Sequence, residues 1–299
     1  MTPRLLQSAA LAGAILIGIV SPAAGQLSGN LGALTPQNVK GYLAPLPEAL
    51  SSTLNSGVFQ GAKIPLAGFN VSLGLHGMGV VFHDEDRTYR PTDPPGFQST
   101  GPVDVPTVVG STQAVDQPGQ GGTTLSYPGG FDLNQFVVAV PQLQIGSVLG
   151  TRAIVRYIAL DHGDSELGHL KLFGLGAQHS LSRYLPALPV NLAAGVFYQT
   201  LQLGDDDLID TKSLEIAVTA SRAFGIAEPY FTLGYDSFHM EVNYQNASAG
   251  GEQTNVEFDS QNDAHVTGGV LVGLPAVKVF AEVNIAAQTG AALGLRFGI

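Results

Sequence analysis

The sequence predicts an all-β protein: an antiparallel transmembrane β-barrel of about ten strands, with twelve as the alternative count, preceded by a short helical N-terminal segment. Three observations predict it. The first is the ending AALGLRFGI (291–299), where Ala291, Leu293, Leu295, Phe297 and Ile299 set an apolar side chain at every second position to the last residue. A period of two is the strand signature, and a strand still in register at its last residue must be paired or must face something other than water. The second is an alternation of short and long connections between strand-like runs. The third is composition: 38 glycines and only 12% charged residues, with a mean hydropathy of +0.20, are apolar for a secreted globule, so apolar surface is being placed somewhere, and lipid is one candidate.

Taken in order, MTPRLLQSAALAGAILIGIVSPAAGQ carries a charge at Arg4, an apolar run from Leu11 to Val20, and small Ala23, Ala24 and Gly25 before Gln26. Residues 1–25 therefore read as a secretory signal peptide, too short and too weakly flanked to remain as a membrane helix. The exported chain has no cysteine, and at about 274 residues it is large enough to bury a core without disulfides.

Residues 26–68 are expected to form a plug or periplasmic cap. Within them, Val39, Leu43, Leu46, Leu50, Leu54 and Phe59 recur at roughly helical spacing, interrupted by Pro45 and Pro47, which suggests one or two short amphipathic helices. Beyond Pro65 the spacing switches to two at Phe69, Val71, Leu73 and Leu75. Such a stripe needs a surface to cover. Leu50, Leu54 and Phe59 are expected to meet the inner wall and any ligand, with the loop containing PTVVGS (106–111) closing the opposite mouth.

The barrel occupies 69–299. Ten strands are expected at about 69–82, 136–147, 151–160, 166–182, 189–203, 212–224, 228–244, 262–274, 277–287 and 289–299. One set of ends is joined tightly, by SVLGT (147–151), RYLPALP (183–189), FGIAEP (224–229) and LPAV (274–277); the other by 83–134, DHGDSE (161–166), GDDDLIDT (204–211) and polar sequence across 245–262. Short turns on one side and long loops on the other describe an outer-membrane barrel with its turns in the periplasm, and an even strand number returns both ends to that side. The long set holds 17 of the 24 acidic residues and, among bases, only Arg87 and Arg90.

Alternation assigns the faces. Val71, Leu73, Val196, Ile216, Val283 and Leu295 are expected to look at lipid, and His76, Gln199, His265 and Asn284 into the lumen; 166–182 is ambiguous. Arg152, Arg156, Glu215, Asp236, Lys278, Glu282 and Arg296 fall on the lumenal face, where buried charges need partners, so they are expected to form a structural network of ion pairs in preference to a substrate site. A secreted β-sandwich would also alternate. The loop asymmetry, glycine content, signal peptide and in-register ending favour the barrel, which has no sheet edge to aggregate.

LNSGVFQGAK (54–63), FNVSLGLHGMGVVFHDEDRTY (69–89), PTVVGS, PQLQIGSVLGTRAIVRYIAL (141–160) and GHLKLFGLGAQHSLSRYLP (168–186) together resemble an uncharacterised family of bacterial outer-membrane β-barrels. The helical segment before a barrel is loosely similar in architecture to long-chain fatty acid transporters. The resemblance implies an outer-membrane location with no activity to transfer. GLRFGI looks like the assembly signal of such barrels, which implies contact with the barrel assembly machinery, although Ile299 stands where an aromatic is usual and Ala292 where a polar residue is.

Without Arg4 the chain has 12 Lys and Arg against 24 Asp and Glu, a formal charge of −12, which excludes nucleic acid as a natural partner. No nucleophile–base pairing, G-x-S-x-G or zinc spacing emerges; HDED (83–86), DHGD (161–164) and GDDD with Asp210 read as solvated loops, and the last lacks the EF-hand form for calcium. No enzyme, cofactor or metal is expected. Ten strands lie just above the size whose interior side chains fill, so the leading expectation is a narrow plugged barrel that binds or passes a small hydrophobic molecule, its other partner being outer-membrane lipid. A structural or surface-recognition barrel is the alternative, followed by a small solute pore and an outer-membrane hydrolase. The exported chain is expected to fractionate with the outer membrane and to migrate faster unboiled than boiled on a gel; recovery in the soluble periplasm would exclude the barrel.

Overall fold

The computed structural model describes residues 23–161, 169–204, 208–246, 250–259, 264–274 and 277–298. Residues 1–22 of the expected leader, His162 and Asp164, Asp205 to Asp207, and Ile299 lie outside them. In chain order come helices α1 (Ala23–Gly32), α2 (Pro36–Leu43) and α3 (Pro45–Asn55), then β1 (Ala67–Val81), β2 (Thr88–Tyr89), β3 (Val105–Pro106), β4 (Val115–Pro118), β5 (Thr124–Tyr127), β6 (Gln135–Val148), β7 (Thr151–Asp161), β8 (His169–Ser180), β9 (Asn191–Leu203), β10 (Ile209–Ser221), β11 (Ala227–Asn246), β12 (Glu252–Asp259), β13 (Ala264–Gly273), β14 (Val277–Ile285) and β15 (Gly290–Gly298).

Ten of these strands, β1, β6 to β11 and β13 to β15, pair antiparallel into one closed barrel. The seam joins β1 to β15, with Leu73 opposite Phe297 and Leu75 opposite Leu295. The terminal strand is thus paired on both edges, to β14 and β1, which is how so apolar an ending is accommodated. β8, ambiguous in the sequence, turns Leu172, Gly174 and Gln178 inward and Phe173 and Leu175 outward. Its inner face looks apolar because Leu172 joins the buried core.

Burial is inverted relative to a water-soluble sandwich. Outward-facing Leu73, Tyr157, Val196, Ile216, Leu233, Val283 and Leu293 are 45 to 69% exposed, whereas inward-facing His76, Gln142, Arg156, Gln199, Glu215, Asp236 and Asn284 are buried. Apolar outside and polar inside is the arrangement lipid requires of a spanning barrel. None of the described helices is long and apolar enough to cross a membrane.

The loop end carries more structure than the sequence suggests. β11 runs on to Asn246 and returns as β12, with Val242 opposite Val256, where the sequence reads as a loop. Met240, Val242, Tyr244 and Val256 are buried in one cluster with Leu31, Leu34, Val39 and Leu43 of the helical segment. The stretch 83–134 is a folded cap: β2 pairs with β3, β4 with β5, and Val105, Val108, Val109 and Tyr127 enter the same core.

The helices sit at this loop end, not at the periplasmic mouth. Thr35 caps α2 by accepting from Asn38 N, with Pro36 in the first turn; Pro45 likewise opens α3, so the proline expected to interrupt a helix starts one. Asn38 donates to Thr92 O at 2.9 Å, and Val108 N to Tyr42 O at 2.8 Å. Tyr42 Oη donates to Gly129 O at 2.9 Å and accepts from Asn30 at 3.0 Å; burial pushes its phenol up to about 12. PTVVGS therefore lies on the same side as the helices. The apolar stripe of the segment found its cover in the cap and the β11–β12 hairpin.

From α3 the chain descends as an irregular strap, residues 56–66, through the lumen to the turn end, where Ser147 Oγ donates to Pro65 O and Gly150 N to Leu66 O. Val283→Arg is expected to cost about 2–4 kcal/mol of folding free energy in lipid vesicles. Glu282→Gln should leave insertion intact and act only through its lumenal partners, Gly57 N of the strap and Tyr230 Oη of the wall, so equal effects on insertion would overturn the face assignment.

Candidate functional site

A strap without secondary structure brings bare amides and carbonyls into a closed lumen, and each needs a partner there. The wall supplies them in sequence. At the end of α3, Gln199 Nε2 donates to Leu54 O at 2.8 Å; along the strap, Gln142 Nε2 donates to Val58 O at 3.3 Å and Arg152 Nη2 to Gly61 O at 2.9 Å. Gly57 N donates to Glu282 Oε1 at 2.5 Å and Ala62 N to Ser221 Oγ at 2.8 Å. His76 Nδ1 lies 3.0 Å from Gly57 O, so that nitrogen carries the proton. The Phe59 ring lies on Gly195, where a Cβ would stand 2.5 Å from it; any other residue at 195 would force the ring to shift.

The expected lumenal residues divide into two groups at different depths. Arg156, Glu215, Asp236 and Glu282 meet in the middle of the barrel. Arg156 is buried and donates to Gln142 Oε1 at 2.7 Å, Leu54 O at 2.8 Å and Ser56 O at 2.8 Å, with its guanidinium 5.4 Å from the centre of the Phe197 ring. Glu282 also accepts from Tyr230 Oη at 2.6 Å. Glu215 and Asp236 stand opposite each other on β10 and β11. His265 joins them from β13, its Nδ1 2.6 Å from Asp236 Oδ2 and its Nε2 3.5 Å from Glu215 Oε1. The imidazole lies over Gly234, where a larger residue would collide with it.

These three donors lie within 4.8 Å of one another. Glu215 Oε2, Asp236 Oδ1 and His265 Nε2 make no hydrogen bond. Two carboxylates and an imidazole form a donor set suited to a divalent cation such as Mn²⁺, Fe²⁺ or Zn²⁺. It is the one such group among the described residues.

The second group gathers at the turn end. Arg152, Lys278 and Arg296 from the wall, Lys63 from the strap and Glu228 from β11 line a cavity of about 440 Å³. Arg296 Nη1 donates to Gln144 Oε1 at 2.7 Å and Gln60 Oε1 at 3.3 Å. Arg152 donates to Gln178 Oε1 from Nε at 3.0 Å and from Nη2 at 2.5 Å. Glu228 Oε1 accepts from Ser221 Oγ at 2.6 Å. The ion-pair network expected for the arginines is replaced by bonds to amides and carbonyls, because the strap and the glutamines of β6 and β8 reach them first.

Leu50, Leu54 and Phe59 are 2%, 1% and 4% exposed, closed in the interior of the protein. The HDED run forms a 3₁₀ turn whose Asp86 accepts from His83 N and from Gln288 Nε2, so it ties the cap to the loop end of the barrel. Sequence reading placed His265, His76 and Gln199 in the lumen without adding them to the site, and missed Lys63, Glu228 and the other glutamines, Gln60, Gln142, Gln144 and Gln178. Of these, only the inward phase of His76, His265 and Gln199 was a usable signal.

Comparison with known proteins places the chain in a family: residues 10–299 match the model described as "Family of unknown function (DUF6588)", and the chain belongs to it. No curated protein matches. Among solved structures, the chain is similar to the outer membrane protease OmpT from Escherichia coli, at 10% identity and a TM-score of 0.35, covering 79% of this chain and 98% of that one. It is similar to a loop L8 deletion mutant of OmpT, an outer membrane protein of Vibrio cholerae, at 11% identity, a TM-score of 0.28 and coverage of 78% and 99%. It is also similar to the beta domain of the Bordetella autotransporter BrkA, at 13%, 0.26, and 77% and 99%.

Arg156→Met is expected to orphan Ser56 O and free the Gln142 amide, lowering stability by about 3 kcal/mol in urea unfolding from detergent. Arg152→Met should cost less, since Gly61 O keeps Gln178 Nε2 at 3.4 Å. Equal losses would show that the strap is not held at mid-barrel.

Proposed function

We propose that this member of the DUF6588 family is an outer-membrane barrel that acts as a sealed anchor, holding a folded cap at its loop end for surface recognition and conducting no solute. The observation that carries this reading is the strap, whose residues from Ser56 to Ala62 are all buried in the lumen and bonded to the wall at successive depths. Passage of a hydrophobic molecule calls for an apolar tunnel; here the middle of the lumen is filled by Arg156, Gln142, Gln199 and the carboxylates, and the apolar residues expected to greet a ligand are closed against the wall. The outer-membrane location is supported by the exposed apolar band, the turn and loop asymmetry and the leader-like opening. The surface offered outside is built: α1, α2, β11–β12 and 83–134 share one apolar core, as a recognition platform needs.

The experiment is single-channel recording of the purified protein in a planar bilayer, with mass spectrometry of co-purified small molecules. The intact chain should give no conductance steps and carry no stoichiometric apolar ligand, while deletion of residues 35–62 should leave a heat-modifiable barrel that conducts. Regular steps from the intact chain, or a stoichiometric hydrophobic ligand, would overturn the sealed anchor in favour of a pore or a carrier.

A further inference from the structure

The cavity at the turn end reverses the charge of the molecule. A chain with a formal net charge of −11 brings Lys63, Arg152, Lys278 and Arg296 to one concavity with Glu228 as the single facing carboxylate. Clustered like charges repel, and a buried guanidinium normally meets a carboxylate. Arg296 is only 5% exposed, yet its acceptors are Gln60 and Gln144; those of Arg152 are Gln178 and the Gly61 carbonyl. Neutral acceptors fix the orientation of a guanidinium and leave its charge available. Lys63 and Lys278 have no hydrogen bond or ion pair among the described residues, and Glu228 is engaged by Ser221.

We infer that this mouth is a binding site for a small phosphate-bearing anion, taken from the side on which the short turns lie. The chemistry follows from the donors. Two guanidiniums held in place by amides match the oxygens of a phosphate group, and two free ammonium groups at the rim supply point charges for a second negative group. The cavity, at about 440 Å³, lies within the range of small-molecule sites. The mouth stands at the edge of the apolar outer band, where exposed Ile226 and Leu274 line it. The same phosphate chemistry can therefore come from a soluble phosphoester or from the headgroup of a lipid in the adjacent leaflet. This inference stands apart from the sealed-anchor reading, since a vestibule closed above by the strap binds whether or not the barrel conducts.

The test uses the full exported chain in a neutral maltoside detergent, titrated calorimetrically with inorganic pyrophosphate at low salt. A parallel arm places it in nanodiscs containing phosphatidylglycerol or phosphatidylcholine and reads retained lipid by native mass spectrometry. Saturable pyrophosphate binding that weakens with salt, and weakens at least tenfold in Lys63→Gln/Lys278→Gln, is the expected result. Retention of phosphatidylglycerol alone, lost in the same double variant, would assign the phosphate to a lipid headgroup. Neither ammonium group is hydrogen-bonded among the described residues, so the double variant should remain heat-modifiable, and Lys212→Gln at the loop end should bind as the parent does. Absence of saturable binding of either probe, or equal binding by the double variant, would overturn the inference.

Discussion

Inside a cylinder with lipid outside, every polar group must find its partner within the cylinder. The rest of this structure depends on that constraint. Ten strands satisfy one another's backbones by pairing in a closed ring, but the strap has no such ladder. Its carbonyls and amides are met one at a time by Arg156, Gln142, Glu282, Arg152 and Ser221, just below the end of α3, where Gln199 holds Leu54 O. The inward face of the barrel is therefore polar at specific heights and in specific chemistry. Arg156 is the strongest case, since it spends three donors on the Leu54 carbonyl of α3, the Ser56 carbonyl of the strap and one glutamine.

The same constraint relaxes at the loop end, and the chemistry changes with it. Here the interior is an ordinary apolar core, in which Leu31, Val39, Leu43 and Leu50 pack with Met78, Val140, Met240 and Val109. One molecule thus holds two kinds of interior: a hydrogen-bonded one at mid-barrel and a hydrophobic one under the cap. The strap is continuous with both, so the cap is tied to the barrel through α3 as well as through the two chain crossings at Val81 and Gln135.

Much of the barrel was legible in the sequence because period-two alternation is local: Leu293, Leu295 and Phe297 announce their face without reference to any partner. The order of the ten strands, the inward phase of His265 and the outward phase of Val283 follow from it. What escaped is set by contacts between distant segments. β12 carries Val256 in a polar stretch and becomes a strand only because β11 continues past the barrel. The position of the helices depends on the 83–134 cap, whose short pairs β2–β3 and β4–β5 have no periodicity to read. The Glu215, Asp236 and His265 group joins three strands, so no spacing in the chain betrays it. Lys63 and Lys278 come together across 215 residues.

The route of the strap has a further consequence for which side of the membrane each part of the chain reaches. Counted as a crossing, it is the eleventh pass through the barrel, and an odd number of passes leaves the described segments before and after them on opposite sides. Residue Gln26 stands with the long loops and Gly298 with the short turns, although a ten-stranded barrel by itself would bring both ends together. The first strand meets the last around this inner pass, so the Leu73–Phe297 seam closes a ring that holds a length of its own chain.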